Sequence, residues 1–330
     1  MIQVEASPAG AALMDPPAPL LRVLQINDLH VSSGPQDPEG ARAKFLALLE
    51  GLETEQLAPR PDLILVLGDL VQDPDEALLR EVVEPLRRLA GVAVLPVPGN
   101  HDLGSPHVEC RPWEAVFGTG SLNYEFETHG VLFIVLNNAF GDTEPAEGAR
   151  KRRNRWLEQV LQQHPGVPKV IACHVPLVPM REPQVLRDSF AFPTWVNQDP
   201  DKRLLGILSA HADSIVAVLS AHLHLTSHVF AEGLNFIVPS GLSSWPCHAT
   251  SYEFFPDRVH VRMIGPGEPI ASSGFLACPL HNGIHDRHGR TVEFTDGEHP
   301  TFATYLAGTP EEQDFYLPMP KKFRGGIQTV

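Results

Sequence analysis

The sequence predicts an α/β fold in which two β-sheets are covered by helices. Short apolar runs alternate with amphipathic stretches from Leu20 onward, which is the rhythm of strands connected by helices. The chain has 330 residues, of which 43% are hydrophobic and 20% charged, so it can bury a large core. No apolar run approaches the roughly 20 residues of a membrane helix. We therefore expect a globular protein that does not bind through a membrane anchor.

The first half of the chain reads as alternating strands and helices. Strands are predicted at Leu21–Ile26, Leu63–Leu67 and 92–97, and helices at 41–57 and 77–89. The second helix follows Asp73-Pro74-Asp75-Glu76, in which Asp73 is predicted to be the N-cap and Glu76 the capping-box residue. Asp199-Pro200 precedes the apolar pattern of 202–208 in the same way, so Asp199 is predicted to cap a helix there.

The second half supplies the strands of a second sheet. A turn at His129-Gly130 joins strands at 123–127 and Val131–Leu136, and a helix is predicted at 149–163. Further strands are predicted at Lys169–Cys173, Ile215–Leu219, Ser227–Ala231, 235–238 and 252–264. The basic run of 150–155 is interpreted as a solvated helix face, with an anion-binding patch as the alternative.

Composition divides the chain into three parts. Residues 1–19, rich in alanine and proline, are interpreted as a loose leader, and residues 20–265 as the main domain. Residues 266–330 have weak periodicity and many glycines and prolines, which favours a C-terminal extension, a lid or a partner-contacting tail. The N-terminus lacks the basic region of a secretory signal, and the four cysteines show no CxxC spacing. These features predict a cytoplasmic location.

The charge balance restricts the partners of the protein. With 25 basic and 40 acidic residues the formal charge is −15, which repels polyanions at long range. We therefore expect no nucleic acid polymer as a partner, and an anionic substrate must find positive charge assembled locally. Nothing in the sequence decides the oligomeric state, so a homo-oligomer remains open.

Polar residues that bind metals come directly after five of the predicted strands. Ligands of open α/β sheets lie beyond the carboxyl ends of the strands, so these residues are expected to converge on one crevice. The candidate ligands are Asp28, His30, Asp69, Asn100, His174, His222 and His224. The pairs Asp28/His30 and His222/His224 are spaced i, i+2, which on extended backbone points both side chains the same way.

The residue types in this set favour transition metals. Carboxylate, imidazole and amide oxygen without thiolate suit Mn, Fe, Zn or Co better than a closed structural zinc site. Seven ligands are too many for one four-coordinate ion, and they fit two ions that share a carboxylate. The sequence therefore predicts a pair of divalent or mixed-valence transition metal ions.

The ordered motifs resemble the calcineurin-like metallophosphoesterase superfamily, and within it the class III cyclic-nucleotide phosphodiesterases. The motifs are Asp28-x-His30, Gly68-Asp69, Gly99-Asn100-His101-Asp102, His174 and His222-x-His224. The resemblance spans roughly residues 21–265 and implies a four-layer αββα sandwich of two mixed β-sheets flanked by helices. One departure is Ala221, where the family usually has glycine, which predicts an ordinary backbone conformation at that residue.

The resemblance also implies roles for these residues. The first metal is assigned to Asp28, His30, Asp69 and His224, and the second to Asp69, Asn100, His174 and His222, with Asp69 as the bridge. His101 is expected to contact the phosphate and assist the leaving oxygen, with Asp102 orienting it. Asn100, His101 and His248 are the candidate substrate contacts.

Charge counting favours a phosphodiester substrate. Two divalent ions, offset by two carboxylates and a bridging hydroxide, leave a site near one net positive charge, which balances a diester monoanion. Protein phosphatases of the superfamily place an arginine before the Gly-Asn-His motif, where this chain has Pro98. The expected activity is hydrolysis of a small phosphodiester, such as a cyclic nucleotide, by a bridging metal hydroxide. A phosphomonoesterase or protein phosphatase and a non-catalytic binding scaffold are the alternatives.

Overall fold

The fold was analysed in a computed structural model of the chain. It describes residues 18–32, 41–89, 91–103, 110–118, 120, 122–139, 144–181, 201–243, 246–265 and 302–323. The leader up to residue 17 and residues 266–301 and 324–330 of the predicted extension lie outside these ranges, so the predicted division into three parts stays a prediction.

The first sheet combines strands from both ends of the chain. Its strands are β1 (Leu21–Ile26), β2 (Leu63–Leu67), β3 (Ala93–Val97), β10 (Ala249–Phe254), β11 (Arg258–Ile264) and β12 (Asp314–Pro318). They lie in the order β12-β11-β10-β1-β2-β3. The three N-terminal strands pair in parallel, whereas β10, β11 and β12 are antiparallel. The carboxyl ends of β1, β2 and β3 therefore lie at one edge.

The second sheet contains the middle of the chain. Its strands are β4 (Asn123–Thr128), β5 (Val131–Leu136), β6 (Lys169–Cys173), β7 (Ile215–Leu219), β8 (Ser227–Ala231) and β9 (Leu234–Val238). They lie in the order β4-β5-β6-β7-β9-β8, with β5, β6, β7 and β9 parallel. Both sheets are mixed, as predicted.

Helices cover the two outer faces. They are α1 (Ala41–Glu53), α2 (Glu76–Arg88), α3 (Asn100–Leu103), α4 (Arg111–Phe117), α5 (Glu144–Gln163), α6 (Lys202–Ala210), α7 (Phe302–Ala307) and α8 (Pro310–Gln313). One apolar core packs α1, α2 and α4 on the first sheet, and another packs α5 and α6 on the second. A third core lies between the sheets, where Val23 and Phe133 meet. Three cores separate four layers, which confirms the αββα sandwich.

Several element boundaries differ from the sequence prediction. The N-cap of α2 is Asp75, whose side chain accepts a hydrogen bond from the Leu78 amide at 2.9 Å, so the cap assigned to Asp73 was wrong. The predicted strand 252–264 is two strands, because Phe255 and Arg258 close a turn between β10 and β11. Asp201 caps α6, whereas Asp199 lies outside the described residues.

The C-terminal segment 302–323 joins both sheets. Strand β12 pairs with β11 at the edge of the first sheet, while the Thr226 amide donates to the Leu306 carbonyl at 2.7 Å beside the second. No helix among the described residues has the length and apolarity needed to cross a membrane. The cytoplasmic location stays a prediction.

Candidate metal centre

All seven candidate ligands lie at the carboxyl ends of parallel strands. Asp28 and His30 follow β1, Asp69 follows β2, and Asn100 begins α3 just after β3. His174 follows β6, and His222 and His224 follow β7 in the other sheet. The structure brings donor atoms from both sheets together, as the sequence predicts.

The first group of donors is formed by Asp28, His30 and His224, whose ligand atoms all lie within 4.8 Å of one another. His224 Nε2 is 3.6 Å from Asp28 Oδ1 and 3.1 Å from His30 Nε2. Asn27 donates to Asp28 Oδ2 at 2.6 Å, and the His222 amide donates to the same oxygen at 3.1 Å. These hydrogen bonds hold the carboxylate in place beside the histidines.

The second group contains Asp69, His174 and His222. His174 Nε2 is 3.2 Å from Asp69 Oδ2 and 3.1 Å from Asn100 Oδ1, so the Asn100 amide oxygen joins this group. The rings of His174 and His222 meet edge to face, with centroids 5.1 Å apart. Asp28, Asp69 and His174 are buried, which shields the donors from water.

Asp69 stands between the two groups. Its Oδ2 is 3.2 Å from His174 Nε2 and 3.7 Å from His30 Nε2, and its Oδ1 accepts the His101 amide at 2.9 Å. One carboxylate oxygen therefore faces a histidine of each group. This is the position that a bridging carboxylate requires.

The spacing of the donors fits metal ions. Ligands about 2.0–2.2 Å from one ion lie roughly 3–3.6 Å apart, and the donor distances given above fall in or close to this range. The 3.1 Å approach of His30 Nε2 and His224 Nε2 also needs a proton or a cation between two nitrogen lone pairs. The donor chemistry suits transition metals and leaves their identity open.

The backbone at five ligands is left-handed. The φ angles of Asp28, His30 and Asp69 are 50°, 50° and 51°, and those of His222 and His224 are 75° and 53°. The extended backbone predicted for the two i, i+2 pairs was therefore wrong. Asp28 and His30 still share one group, whereas His222 and His224 point to different groups. Ala221 is not left-handed, in agreement with the expectation for that residue.

Hydrogen bonds between the loops hold this strained backbone. The Asp28 amide donates to the Gly68 carbonyl at 3.0 Å, and the His30 amide donates to the Asp69 carbonyl at 2.9 Å. In the second sheet, the Ala221 amide after β7 donates to the His174 carbonyl after β6 at 2.9 Å. Left-handed non-glycine residues persist only where such surroundings hold them, and they concentrate at functional sites.

Glycine is required where these loops approach each other. A Cβ atom at Gly99 would lie 2.2 Å from Asp69 Oδ1, and one at Gly68 would lie 2.3 Å from His174 Nδ1. Both glycines precede ligands in the sequence motifs. They are needed because the backbone passes directly behind the ligand side chains.

Buried charges set the protonation states of the donors. Burial alone would raise the pKa of Asp69, but His174 and His30 hold it well below 3.8. Burial likewise opposes ionisation of Asp28, whose pKa is lowered chiefly by His224. Burial lowers the pKa of His30 and of His222 to about 4. Ionised carboxylates and neutral imidazoles are the forms that bind metal.

His174 differs from the other two histidines. Burial lowers its pKa, but the charge and hydrogen bond of Asp69 outweigh burial and raise the pKa to about 9. A cation at this group must therefore displace a proton from Nε2. The Nδ1 atom lies 3.0 Å from the Leu67 carbonyl, to which it donates, so Nε2 is the atom directed at Asp69 and Asn100.

His101 lies beside the first group, but Asp102 does not orient it. His101 Nδ1 donates to the Gln72 carbonyl at 2.8 Å, and its ring meets the His30 ring edge to face with centroids 4.8 Å apart. His101, His30 and Asp69 form a third set of close ligand atoms. Gln72, which the sequence analysis did not single out, takes the contact expected of Asp102.

Asp102 instead joins two loops. Its carboxylate accepts the amides of Leu70 at 2.8 Å, Val71 at 3.3 Å and Gly99 at 2.9 Å, behind the ligands Asp69 and Asn100. Burial and the charge of Asp69 raise the pKa of Asp102 to about 7, although these amides favour the ionised form. The expected orienting role is corrected, because the side chain points to the backbone.

His248 and the basic run occupy positions with partners of their own. His248 is half-buried, with Nδ1 3.3 Å from Thr226 Oγ1, and burial lowers its pKa to about 4. It forms a bridge with Gly241, which lies against Asp28, so its substrate contact stays a prediction. In the basic run, Arg153 is buried and pairs with Asp201 at 2.6 Å, so the run is not wholly a solvated face.

Two sheets between layers of helices bring carboxylates and imidazoles from both sheets together at one edge, which forms a candidate metal site. The chain belongs to the calcineurin-like phosphoesterase family, because the model of that family matches residues 21–225. This match contains all seven candidate ligands and His101. It confirms the resemblance predicted from the motifs.

Curated relatives carry two kinds of name. Serine/threonine-protein phosphatase CPPED1 of Rattus norvegicus is 27% identical over 203 residues, covering 57% of this chain and 61% of that protein. The 3′,5′-cyclic-nucleotide phosphodiesterase alr5338 of Nostoc sp. is 29% identical over 159 residues, covering 47% and 57%. The chain thus spans about three fifths of the length of these relatives.

Solved structures agree on the fold. A dimetal phosphatase from Danio rerio matches with a TM-score of 0.57 at 16% identity, covering 76% of this chain and 98% of that chain. A purple acid phosphatase from yellow lupin (Lupinus luteus) seeds matches with a TM-score of 0.52 at 13% identity, covering 82% and 54%. At these identities the similarity shows the fold alone.

Proposed function

We propose that the protein is a metal-dependent phosphodiesterase that hydrolyses small phosphodiesters, with cyclic nucleotides as the first substrates to test. The observation that carries this proposal is the shared carboxylate Asp69, whose Oδ2 faces a histidine of each donor group. Two ions held by such a carboxylate are a recurring device for in-line displacement at phosphorus.

Each donor group has a task in this reaction. Asp28, His30 and His224 would hold one ion, and Asn100, His174 and His222 the other, with Asp69 shared between them. When bound, such ions would activate water as the nucleophile and neutralise charge on the phosphoryl oxygens. In its doubly protonated form, with the Nδ1 proton held by the Gln72 carbonyl, His101 would donate the proton on Nε2 to the leaving oxygen.

The charge of the donor set supports a diester. Among the seven donors only Asp28 and Asp69 are acids, and both are held ionised by neighbouring histidines. Two divalent ions, offset by these two carboxylates and a bridging hydroxide, would leave about one positive charge, which suits the monoanion of a diester. The cyclic-nucleotide phosphodiesterases among the relatives, alr5338 and a probable enzyme of Coxiella burnetii, agree with this choice.

A phosphomonoesterase or protein phosphatase is the second candidate. The CPPED1 relatives carry a serine/threonine-protein phosphatase name and match a longer part of this chain than the phosphodiesterases do. A phosphomonoester dianion would need positive charge beyond the two ions. Pro98 stands where the resemblance places an arginine in protein phosphatases, which favours the diester.

The test compares both substrate classes on one preparation. Initial rates are measured on bis(p-nitrophenyl) phosphate and p-nitrophenyl phosphate with added Mn²⁺, Fe²⁺, Zn²⁺ or Co²⁺, and then on 3′,5′- and 2′,3′-cyclic nucleotides. We expect kcat/KM to be higher on the diesters than on the monoester. Hydrolysis of the diesters should be lost in His222→Ala. A higher kcat/KM on the monoester would establish the second candidate, and no hydrolysis by metal-loaded protein would favour a binding scaffold.

A further inference from the structure

Gln72 contacts two histidines of the centre, His30 and His101. Its side-chain Oε1 is 3.1 Å from His30 Nδ1, and its main-chain carbonyl accepts His101 Nδ1 at 2.8 Å. We propose that Gln72 is a positioning residue that selects the tautomer of His30 and thereby sets the metal affinity of the first donor group. The inference rests on the proposed metal centre and not on the substrate.

The backbone places Gln72 where its side-chain amide can reach His30. The main-chain N–H of Gln72 donates to the Val31 carbonyl at 3.0 Å, and Val31 forms a parallel bridge with Val71. The loops after β1 and β2 therefore run side by side, and the Gln72 side chain reaches His30 Nδ1 in the neighbouring loop at 3.1 Å. Gln72 is exposed, so its side chain covers the outer edge of the centre without belonging to the core.

An amide oxygen can only accept a hydrogen bond. His30 must therefore carry its proton on Nδ1, which leaves the lone pair of Nε2 free. Nε2 is the atom that lies 3.1 Å from His224 Nε2 and 3.7 Å from Asp69 Oδ2. The hydrogen bond thus prepares the ligand nitrogen. Removal of such a partner behind a metal-binding histidine typically weakens metal binding about 10–100-fold.

In the second donor group, the tautomer of His174 does not depend on a side-chain acceptor. His174 Nδ1 donates to the main-chain carbonyl of Leu67, which no side-chain substitution removes. His101 Nδ1 is also held by a main-chain carbonyl, that of Gln72. A substitution of the Gln72 side chain should therefore affect His30 and leave the main-chain contacts of His101 and His174 in place.

The chain offers isosteric substitutions for a test. Gln72→Met keeps the size of the side chain and removes the acceptor, whereas Gln72→Glu keeps an acceptor oxygen at the same reach. Asp73→Asn, at the adjacent exposed residue, is the control for a surface change. Full-length proteins treated with a chelator are titrated with Mn²⁺ in a calorimeter, and their unfolding in urea is compared to verify the fold.

We expect two Mn²⁺ binding events in the unchanged protein and in Asp73→Asn. Gln72→Met should weaken one event about 10–100-fold and spare the other, and Gln72→Glu should bind at least as tightly as the unchanged protein. Nitrogen NMR of the chelator-treated proteins should show the Nδ1–H tautomer of His30 in the unchanged protein. In Gln72→Met, this tautomer should no longer predominate.

Two results would overturn the inference. One is that Gln72→Met binds both Mn²⁺ ions with the affinities of the unchanged protein. The other is that Gln72→Glu binds Mn²⁺ as weakly as Gln72→Met does. These outcomes concern metal binding by the chain alone. Failure of phosphodiester hydrolysis would remove the proposed function and leave the role of Gln72 standing.

Discussion

At the scale of single residues, the centre combines strained backbone with buried charge. Five candidate ligands have φ between 50° and 75°, a region in which a non-glycine residue costs on the order of 1–3 kcal/mol. Aspartate and histidine tolerate this region better than most residues, so the residue types that suit a metal also suit the turn. Hydrogen bonds from neighbouring loops, such as His30 to Asp69, offset the strain.

The different partners of His101 and Asp102 predict different effects of substitution. His101→Ala should lower kcat on bis(p-nitrophenyl) phosphate about 10²–10⁴-fold through loss of the proton donor, with both metals retained. Asp102→Ala should instead lower the free energy of unfolding by about 1–3 kcal/mol, because three amides lose their acceptor. Both are measured by steady-state kinetics and urea unfolding. If Asp102→Ala keeps the stability of the original protein and shows the same fall in kcat as His101→Ala, Asp102 does orient His101.

At the scale of elements, the sequence predicts the strands that are bounded by turn residues well and the turns themselves poorly. Strands β1, β2, β5, β6, β7 and β8 have the predicted bounds, because each is a compact strand segment bounded by turn residues. The polar residues after them were sufficient to predict seven candidate ligands, whose donor atoms the structure brings close together. The left-handed conformations could not be predicted, because they depend on hydrogen bonds to loops distant in sequence, such as Asp28 to Gly68.

Short elements and indirect contacts were missed for related reasons. Helices α7 and α8 have six and four residues, which is less than two helical turns, and strand β12 runs from Asp314 to Pro318 without a continuous apolar run. Gln72 was missed because a glutamine after Val71 carries no local signal of its own. A polar residue three positions after Asp69, in a loop already known to hold a ligand, was the clue available in the sequence.

The tight approach of the loops predicts that Gly99 tolerates no side chain. Gly99→Ala places a methyl group 2.2 Å from Asp69 Oδ1, so Asp69 must move and both donor groups lose their shared oxygen. We expect Mn²⁺ affinity to fall by more than about tenfold. The matched control is Gly206→Ala in α6, where nothing lies within 4 Å and alanine should stabilise the helix by about 0.5–1 kcal/mol. Equal Mn²⁺ titrations of the two variants would show that the loops adapt to a methyl group.

At the scale of the whole molecule, the C-terminal segment connects the two sheets. Glu312 precedes β12 of the first sheet and forms two contacts with Arg181, at 2.7 and 3.1 Å, beside the second sheet. Glu312 Oε1 also accepts hydrogen bonds from Ser227 Oγ and from the His228 amide, both at 3.2 Å. Arg181 is buried, with 4% of its side chain exposed, so this ion pair is shielded from water. The pair thus ties residues 302–323 to the sandwich that carries the metal centre.

Loss of this pair should destabilise the protein in a pH-dependent manner. Glu312→Gln leaves Arg181 without its counter-charge and should lower the free energy of unfolding by about 3–5 kcal/mol near pH 7, as is typical for one partner of a buried pair. Burial opposes ionisation of Glu312, but the hydrogen bond and charge of Arg181 lower its pKa below 4.5. The folded state therefore binds fewer protons than the unfolded state, and this stability is present above pH 4.5 and lost as the pH falls through the folded pKa. Urea unfolding of the original protein and Glu312→Gln should converge at low pH, with exposed Glu311→Gln as the control. A difference between the two proteins that is the same above and below the folded pKa would show that Glu312 acts through its shape and not through its charge.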